Sequence, residues 1–278
     1  MSSELAARQV APSAFGDDAR RFLNLTLTLA RTDWKLRFFG SALGYLWSLV
    51  RPLLFFAVLW VMFTKVFHAG VGVPHYPVYL LTGIVLWTFF TETTSNSVQC
   101  LLVREGLLRK MRFPRMVIPL SVGLTASFNL AMNLIVVLGF ALATGVDPRW
   151  SWLELPVLIL LLALFAVGIG MLLAPLYVRF RDVEPIWEVA TQILFYASPI
   201  IYTAARYPAS VRRLAMVNPI GAILTQMNHA FITPTAPTVA QVIGGSIWLL
   251  LPLGIIAALA VLGTWVFTRE APRIAERL

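Results

Sequence analysis

LELPVLILLLALFAVGIGMLLAPLYV, residues Leu153–Val178, carries one charge near its start and none after it. As a helix it is long enough to cross a hydrocarbon core, which takes about 20 apolar residues. Five further stretches flank it: Tyr45–Val66, Val78–Thr94 and Val117–Ala143 on the N-terminal side, Ile186–Tyr202 and Val242–Phe267 on the other. At 59% hydrophobic and 13% charged residues, the chain is more apolar and less charged than soluble domains. The sequence therefore predicts an all-α polytopic membrane protein with six spans.

Most of the 22 Lys and Arg fall on alternate connections. One set holds Arg8, Arg20, Arg21, Arg31, Lys35, Arg37 and Arg51, then Arg104, Arg109, Lys110, Arg112 and Arg115, then Arg179 and Arg181, then Arg269, Arg273 and Arg277. The other set keeps only Lys65, Arg149, Arg206, Arg212 and Arg213. Positive residues stay on the cytoplasmic side, so both termini are expected there. The resulting division is a cytoplasmic N-terminal segment, 1–43, a six-span domain, 44–268, and a cytoplasmic tail, 269–278. The net charge of +9 does not indicate a nucleic-acid partner, because the cations sit beside spans rather than on a compact soluble face. Anionic membrane lipids and a cytoplasmic protein are the expected counter-charges. Cys100 is the sole cysteine, so an intrachain disulfide is impossible.

Arg20-Arg21-Phe22-Leu23 has the look of a twin-arginine signal. Asn24, Thr26 and Thr28 interrupt its apolar part, which runs directly into Arg31, Asp33, Lys35 and Arg37 without a small-residue cleavage site. An interfacial amphipathic helix fits better, with Leu23, Leu27, Ala30, Trp34 and Phe38 on one face. The leucines at 23, 25, 27 and 29 also fit a strand, but nothing nearby would pair with it.

Two connections are unusual. Residues 101–113 mix leucines with Arg104, Glu105, Arg109, Lys110 and Arg112 and stop at Pro114, which predicts a short amphipathic cytoplasmic helix. Leu214–Ile232 is apolar but broken by Asn218-Pro219 and Gly221, which fits a re-entrant hairpin at the outer surface. There is no phosphate-binding loop: none of Lys35, Lys65 and Lys110 follows a glycine. His68, His75 and His229 are too scattered for the usual metal cluster. Glu92, Glu154 and Glu188 leave open a membrane-bound enzyme acting on lipid-linked sugars, although acids near span ends are commonly just solvated.

Phe56, Trp60, Phe63 and Phe67 recur at helical spacing on the first span, with Tyr45 and Trp47 at its cytoplasmic end. Such a stripe fits a conduit, because sugar C–H faces stack on rings. It equally fits lipid packing or an interfacial aromatic belt.

Asp33-Trp34-Lys35-Leu36-Arg37, Leu43-Gly44-Tyr45-Leu46-Trp47-Ser48-Leu49 with Pro52-Leu53-Leu54, Phe113-Pro114-Arg115, Tyr177-Val178-Arg179-Phe180-Arg181-Asp182-Val183, Ser198-Pro199-Ile200-Ile201-Tyr202 and Asn218-Pro219 follow one another along the chain. In that order they resemble the ABC-2 permeases that export polysaccharides, the transmembrane subunits of O-antigen, teichoic acid and related lipid-linked glycan exporters. The resemblance implies a homodimer in a bacterial inner membrane, docked on two copies of a separate ABC ATPase. This chain would bind no cofactor itself, and ATP and Mg would be held by the partner. It also implies an interface helix over about Asp18–Phe39, a coupling helix over Leu101–Phe113 and outer gate helices over Tyr207–Ile232. Coupling falls to Leu102, Arg104, Glu105, Leu107, Leu108, Arg109 and Lys110, the outer gate to Asn218 and Pro219, and the glycan conduit to Tyr45, Trp47, Phe56, Trp60 and Phe63. The leucines should dominate docking, since a buried leucine contributes about 1.5–3 kcal/mol and an exposed ion pair about 0–1. A drug or lipid exporter of the same fold is the alternative.

Overall fold

A computed structural model of the chain describes residues 19–37, 44–68, 70, 72–110 and 114–277. Every regular element among them is helical. In chain order the α-helices are α1 (Ala19–Arg37), α2 (Leu46–Val61, continued by a π turn, Met62–Val66), α3 (Tyr76–Val103), α4 (Glu105–Lys110), α5 (Val117–Ala143), α6 (Leu155–Arg179), α7 (Val183–Ala197), α8 (Ala209–Val217), α9 (Pro219–Met227), α10 (Val239–Ile243) and α11 (Leu250–Arg277).

α3 is the hub, packing against α2, α5, α6 and α7. Val78, Leu80, Ile84 and Phe90 are wholly buried there. The sequence reading stopped this helix at Thr94, where hydropathy collapses, yet it runs nine residues further to Val103. Its hydroxyls explain why the polar stretch stays helical. Thr91, Thr94 and Ser97 each donate to the carbonyl four residues back, at 3.0, 2.9 and 2.7 Å, so the side chains need no other partner.

Four helices are long and apolar enough to cross a membrane: Leu46–Val66, Val117–Ala143, Trp150–Arg179 and Ser246–Ala271. Half of the apolar window in Trp150–Arg179 is buried inside the chain, against 6% in Leu46–Val66. The outer surface of α2 is thus left for lipid or another protein to cover. α7 has 15 residues, about 22 Å at 1.5 Å each, because Ser198-Pro199 ends the helix well before Tyr202. The sixth apolar stretch also begins later than its hydropathy indicates. Gly244 and Gly245 take φ of 99° and 141°, conformations open to glycine and costly to other residues, and they separate α10 from the long helix.

α1 is a helix, not a strand, and lies along α5. Its covered face overlaps the expected one: Ala30 is buried and Trp34 packs on α5, but Leu23 is 58% exposed, and Phe22, Leu25 and Leu29 pack inward instead beside buried Thr26. Phe38, expected on the same face, is outside the described residues.

Candidate functional site

The bundle has two distinct ends. At the basic end, Leu101, Ile118, Ala174 and Phe267 form one cluster with Leu107 and Leu108, bringing together α3, α4, α5, α6 and α11. α3 breaks at Arg104 (φ −107°, ψ 22°), and its guanidinium pairs with Asp33 of α1. α4 follows, opened by Glu105. Of the expected docking leucines, Leu108 is turned into the chain's own core at 7% exposure. Leu102 packs beside Val98, Tyr177, Val183 and Trp187. Leu107 is half-buried, and the openly exposed apolar side chain is Val103, at 74%. Arg109 and Lys110 belong to α4, but their side chains are outside the description. Hydropathy could not reveal Val103, because its exposure depends on where α3 ends.

At the opposite end, the turn after α7 is tied to the start of α3. Tyr76 donates to the Ile201 carbonyl at 2.8 Å, and Tyr79 donates to that of Pro199. Further along, Ser151 and Trp152 donate to the carbonyls of Ala230 and Phe231 at 2.6 and 3.1 Å. Asn218 stands between α8 and α9. Its side-chain oxygen accepts from the Ile220 N–H at 3.1 Å, capping α9, and its Nδ2 donates to Ser198 Oγ at 2.9 Å. Pro219 occupies the first turn of α9, where its missing N–H costs nothing. Tyr207 donates to the Ala197 carbonyl at 2.9 Å. Burial first, then its contact with Tyr202, pushes the Tyr207 phenol above its ordinary range.

The aromatic stripe of α2 divides between two surroundings. Phe56 and Phe63 pack against the core, with Phe56 edge-on to Phe140 at 5.9 Å. Trp60 stacks on Phe56 at 6.2 Å but is 40% exposed. At the start of α2, Tyr45 stacks on Trp34 of α1 at 4.5 Å, and Trp47 stays exposed. A second apolar strip, absent from the sequence reading, runs along α7 through exposed Ile186, Val189, Ile193 and Tyr196. It adjoins α2 through Phe55 and Phe195, 6.0 Å apart.

Between α1, α2, α3 and α5 lies a polar cavity of about 780 Å³. Its wall is a connected network. Glu92 of α3 accepts from Arg37 and, at 2.7 Å, from Asn129 Nδ2. Trp34 Nε1 donates to Asn129 Oδ1 at 2.9 Å, and Asn133 donates to the Ser48 and Asn129 carbonyls at 3.2 and 2.9 Å. Arg51 lines the same space. Sequence position alone gives Glu92 only as an acid near a span end, because its partners are 55 and 37 residues away in the chain.

The family model for ABC-2 type transporters matches residues 24–232, from α1 to just past α9. The chain belongs to this family. Among ABC-2 relatives it is similar to the O-antigen export system permease protein RfbA of Klebsiella pneumoniae, 29% identical over 75% of this chain and 80% of that one. The Myxococcus xanthus protein of the same description is 28% identical over 93% of this chain and 96% of its own length. The polysialic acid transport protein KpsM of Escherichia coli is 22% identical over 67% and 72%. The family match starts within α1, so the helix tied by Trp34, Arg37 and Asp33 to α3 and α5 is part of the ABC-2 unit.

Proposed function

We propose that this chain is the membrane permease subunit of an ATP-driven exporter that carries a lipid-linked polysaccharide from the cytoplasmic to the outer side of the inner membrane. The carrying observation is near full-length similarity to a permease named for O-antigen export. Shorter similarity to proteins named for polysialic acid and capsule transport supports the same substrate class. The chain works as a homodimer with two copies of a separate ATPase, which supplies ATP hydrolysis and its Mg. The exposed faces of α2 and α7 support a second copy as the covering partner.

On this reading α3 and α7 join the four apolar helices to make six spans, with α7 completed by the buried turn at Ser198–Ile201. The basic end faces the cytoplasm, consistent with its Arg and Lys content. Leu107, Val103 and Arg104 meet the ATPase, and Glu105, Arg109 and Lys110 complete that face, while Leu102 and Leu108 anchor α4 to the bundle. Asn218 and Pro219 hinge the outer gate, and Trp60 with Tyr45, Trp47, Phe56 and Phe63 offers rings along the glycan path. The test is deletion of the gene with complementation. Loss of surface polysaccharide, with lipid-linked polymer accumulating inside and return of both on complementation, is expected. Unchanged surface polysaccharide would overturn the reading.

A further inference from the structure

At the end of the bundle opposite the basic one, a cavity of about 250 Å³ lies between the α2–α3 connection, the turn after α7 and the chain from α9 to α10. Among the described residues, no charged side chain is in its wall; Tyr79, Thr225, Asn228, Thr233 and Thr235 supply the polar groups. Asn228 is 7% exposed, and its Oδ1 is buried without a donor among the described residues. A buried acceptor left that way is costly. The residue also opens the π turn Asn228–Ile232, a form of helix frequent at functional sites. Beyond the turn, His229 Nδ1 donates to the Ala236 carbonyl at 2.7 Å, which holds residues 233–236 beside it. The Thr233 and Thr235 hydroxyls bond each other at 2.8 Å, so one of the two O–H groups remains to donate elsewhere. Thr225 spends its O–H on the Gly221 carbonyl at 2.8 Å and keeps lone pairs that can accept.

We propose that this cavity binds a single neutral sugar ring. The site stands on its own geometry; that the ring is a unit of an emerging glycan rests on the export reading above. A sugar hydroxyl both donates and accepts, which suits a wall holding an orphan acceptor, a spare O–H and a hydroxyl open to donors. A phosphate or an ion would need a counter-charge that this wall lacks. Tyr79 adds an aromatic ring, suited to the C–H side of a sugar. Size points the same way. The volume is several times the about 30 Å³ share of one water and below the about 300–1,000 Å³ of sites for drug-sized ligands, so one ring fits and a chain does not. Because Tyr79 belongs to α3 and Asn228 follows α9, a bound ring would tie the outer hairpin to the start of α3.

The experiment uses the full chain in nanodiscs, with Cys100 changed to Ala and a cysteine introduced by Ala205→Cys, at an exposed position in the cavity wall. Maleimide labelling is timed with D-glucose, D-galactose, D-mannose and N-acetylglucosamine, each alone, and with glycerol and glucose 6-phosphate as controls. At least one of the four sugars should slow labelling about tenfold at saturation, and neither control should match it. Asn228→Leu should raise the concentration of that sugar needed for protection about tenfold, while the melting temperature of the sugar-free protein does not fall. A purely structural Asn228 would show the reverse, a lower melting temperature and unchanged protection. Thr235→Val, at an exposed position, should weaken protection severalfold and serves as the test if the leucine variant does not fold. Protection by a disaccharide of the same sugar at lower concentration assigns the ring to a glycan, and at higher concentration to a free sugar. No protection by any of the four, equal protection by glycerol or glucose 6-phosphate, or unchanged protection in the folded variants overturns the proposal. Normal surface polysaccharide in the deletion strain would remove the export reading, with sugar protection still measurable on its own.

Discussion

Gly263 of α11 lies so close to Gly168 of α6 that a Cβ added to it would stand 2.2 Å from the Gly168 carbonyl oxygen. Backbones approach this closely only where both residues are small, the usual way helices associate without a hydrophobic drive in lipid. Gly263→Ala should therefore force the helices apart and cost about 1–3 kcal/mol, the range for overpacking. Gly254→Ala, on the same helix with nothing within 4 Å, should be neutral or stabilising by up to about 1 kcal/mol. Thermal unfolding of the two variants in one detergent checks the contrast. Equal melting temperatures would refute the tight crossing.

Orientation is open to cysteine labelling after Cys100, which is buried, is changed to Ala. Cysteines at Gly72 and at Trp150, 90% exposed, should react with an impermeant reagent added outside. Cysteines at Arg179 and Arg269 should react only after permeabilisation. The reverse pattern would invert the proposed topology.

Hydropathy and helical periodicity made much of the helical framework legible. The third apolar stretch coincides with α5, and the first with α2 and its π turn. What they missed has physical causes. The polar half of α3 stays helical because its hydroxyls bond their own backbone, and a hydropathy count cannot see that. The start of the α1 face was misplaced, at Leu23 rather than Phe22, because both are apolar and only packing on α5 chooses between them, whereas Ala30 and Trp34 do lie on the covered side. The Glu92 network joins residues from four helices, so no local pattern announces it. Asn218-Pro219 was visible because a break of that kind has a local signature.

Asn218 carries two roles, α9 capping and the bond to Ser198. Asn218→Ala should lose about 1 kcal/mol for the cap alone. Asn218→Ser should keep the cap and lose only the reach to Ser198. If the hinge matters for export, both variants should insert normally and export less, with alanine the worse. Full export by both at equal protein level would confine Asn218 to local packing.

At the basic end, burial separates the leucines. Leu108→Asp places a carboxylate at a site 7% exposed and should lower the yield of folded protein, since an unpaired buried charge is costly. Leu107→Asp and Val103→Asp should leave yield near normal and weaken co-purification of the ATPase. Unimpaired ATPase recovery and export in both of the latter would exclude this surface from coupling.

Trp60 is the stripe residue whose ring is both exposed and stacked, lying on Phe56 with 10° between the planes. Trp60→Leu keeps an apolar surface and removes the largest stacking face. A ring on which sugars stack contributes through its face, so export of long glycans should slow while short ones are less affected. A lipid-facing tryptophan would tolerate the change, because leucine is at home in hydrocarbon. Phe63→Leu serves as the comparison, since Phe63 packs against the core, and its effect should fall on stability before export. The measurement is export rate against glycan length at matched protein level. A uniform rate for Trp60→Leu at every length would remove the ring from the glycan path and leave the α7 strip, with Tyr196 exposed at 67%, as the surface to examine.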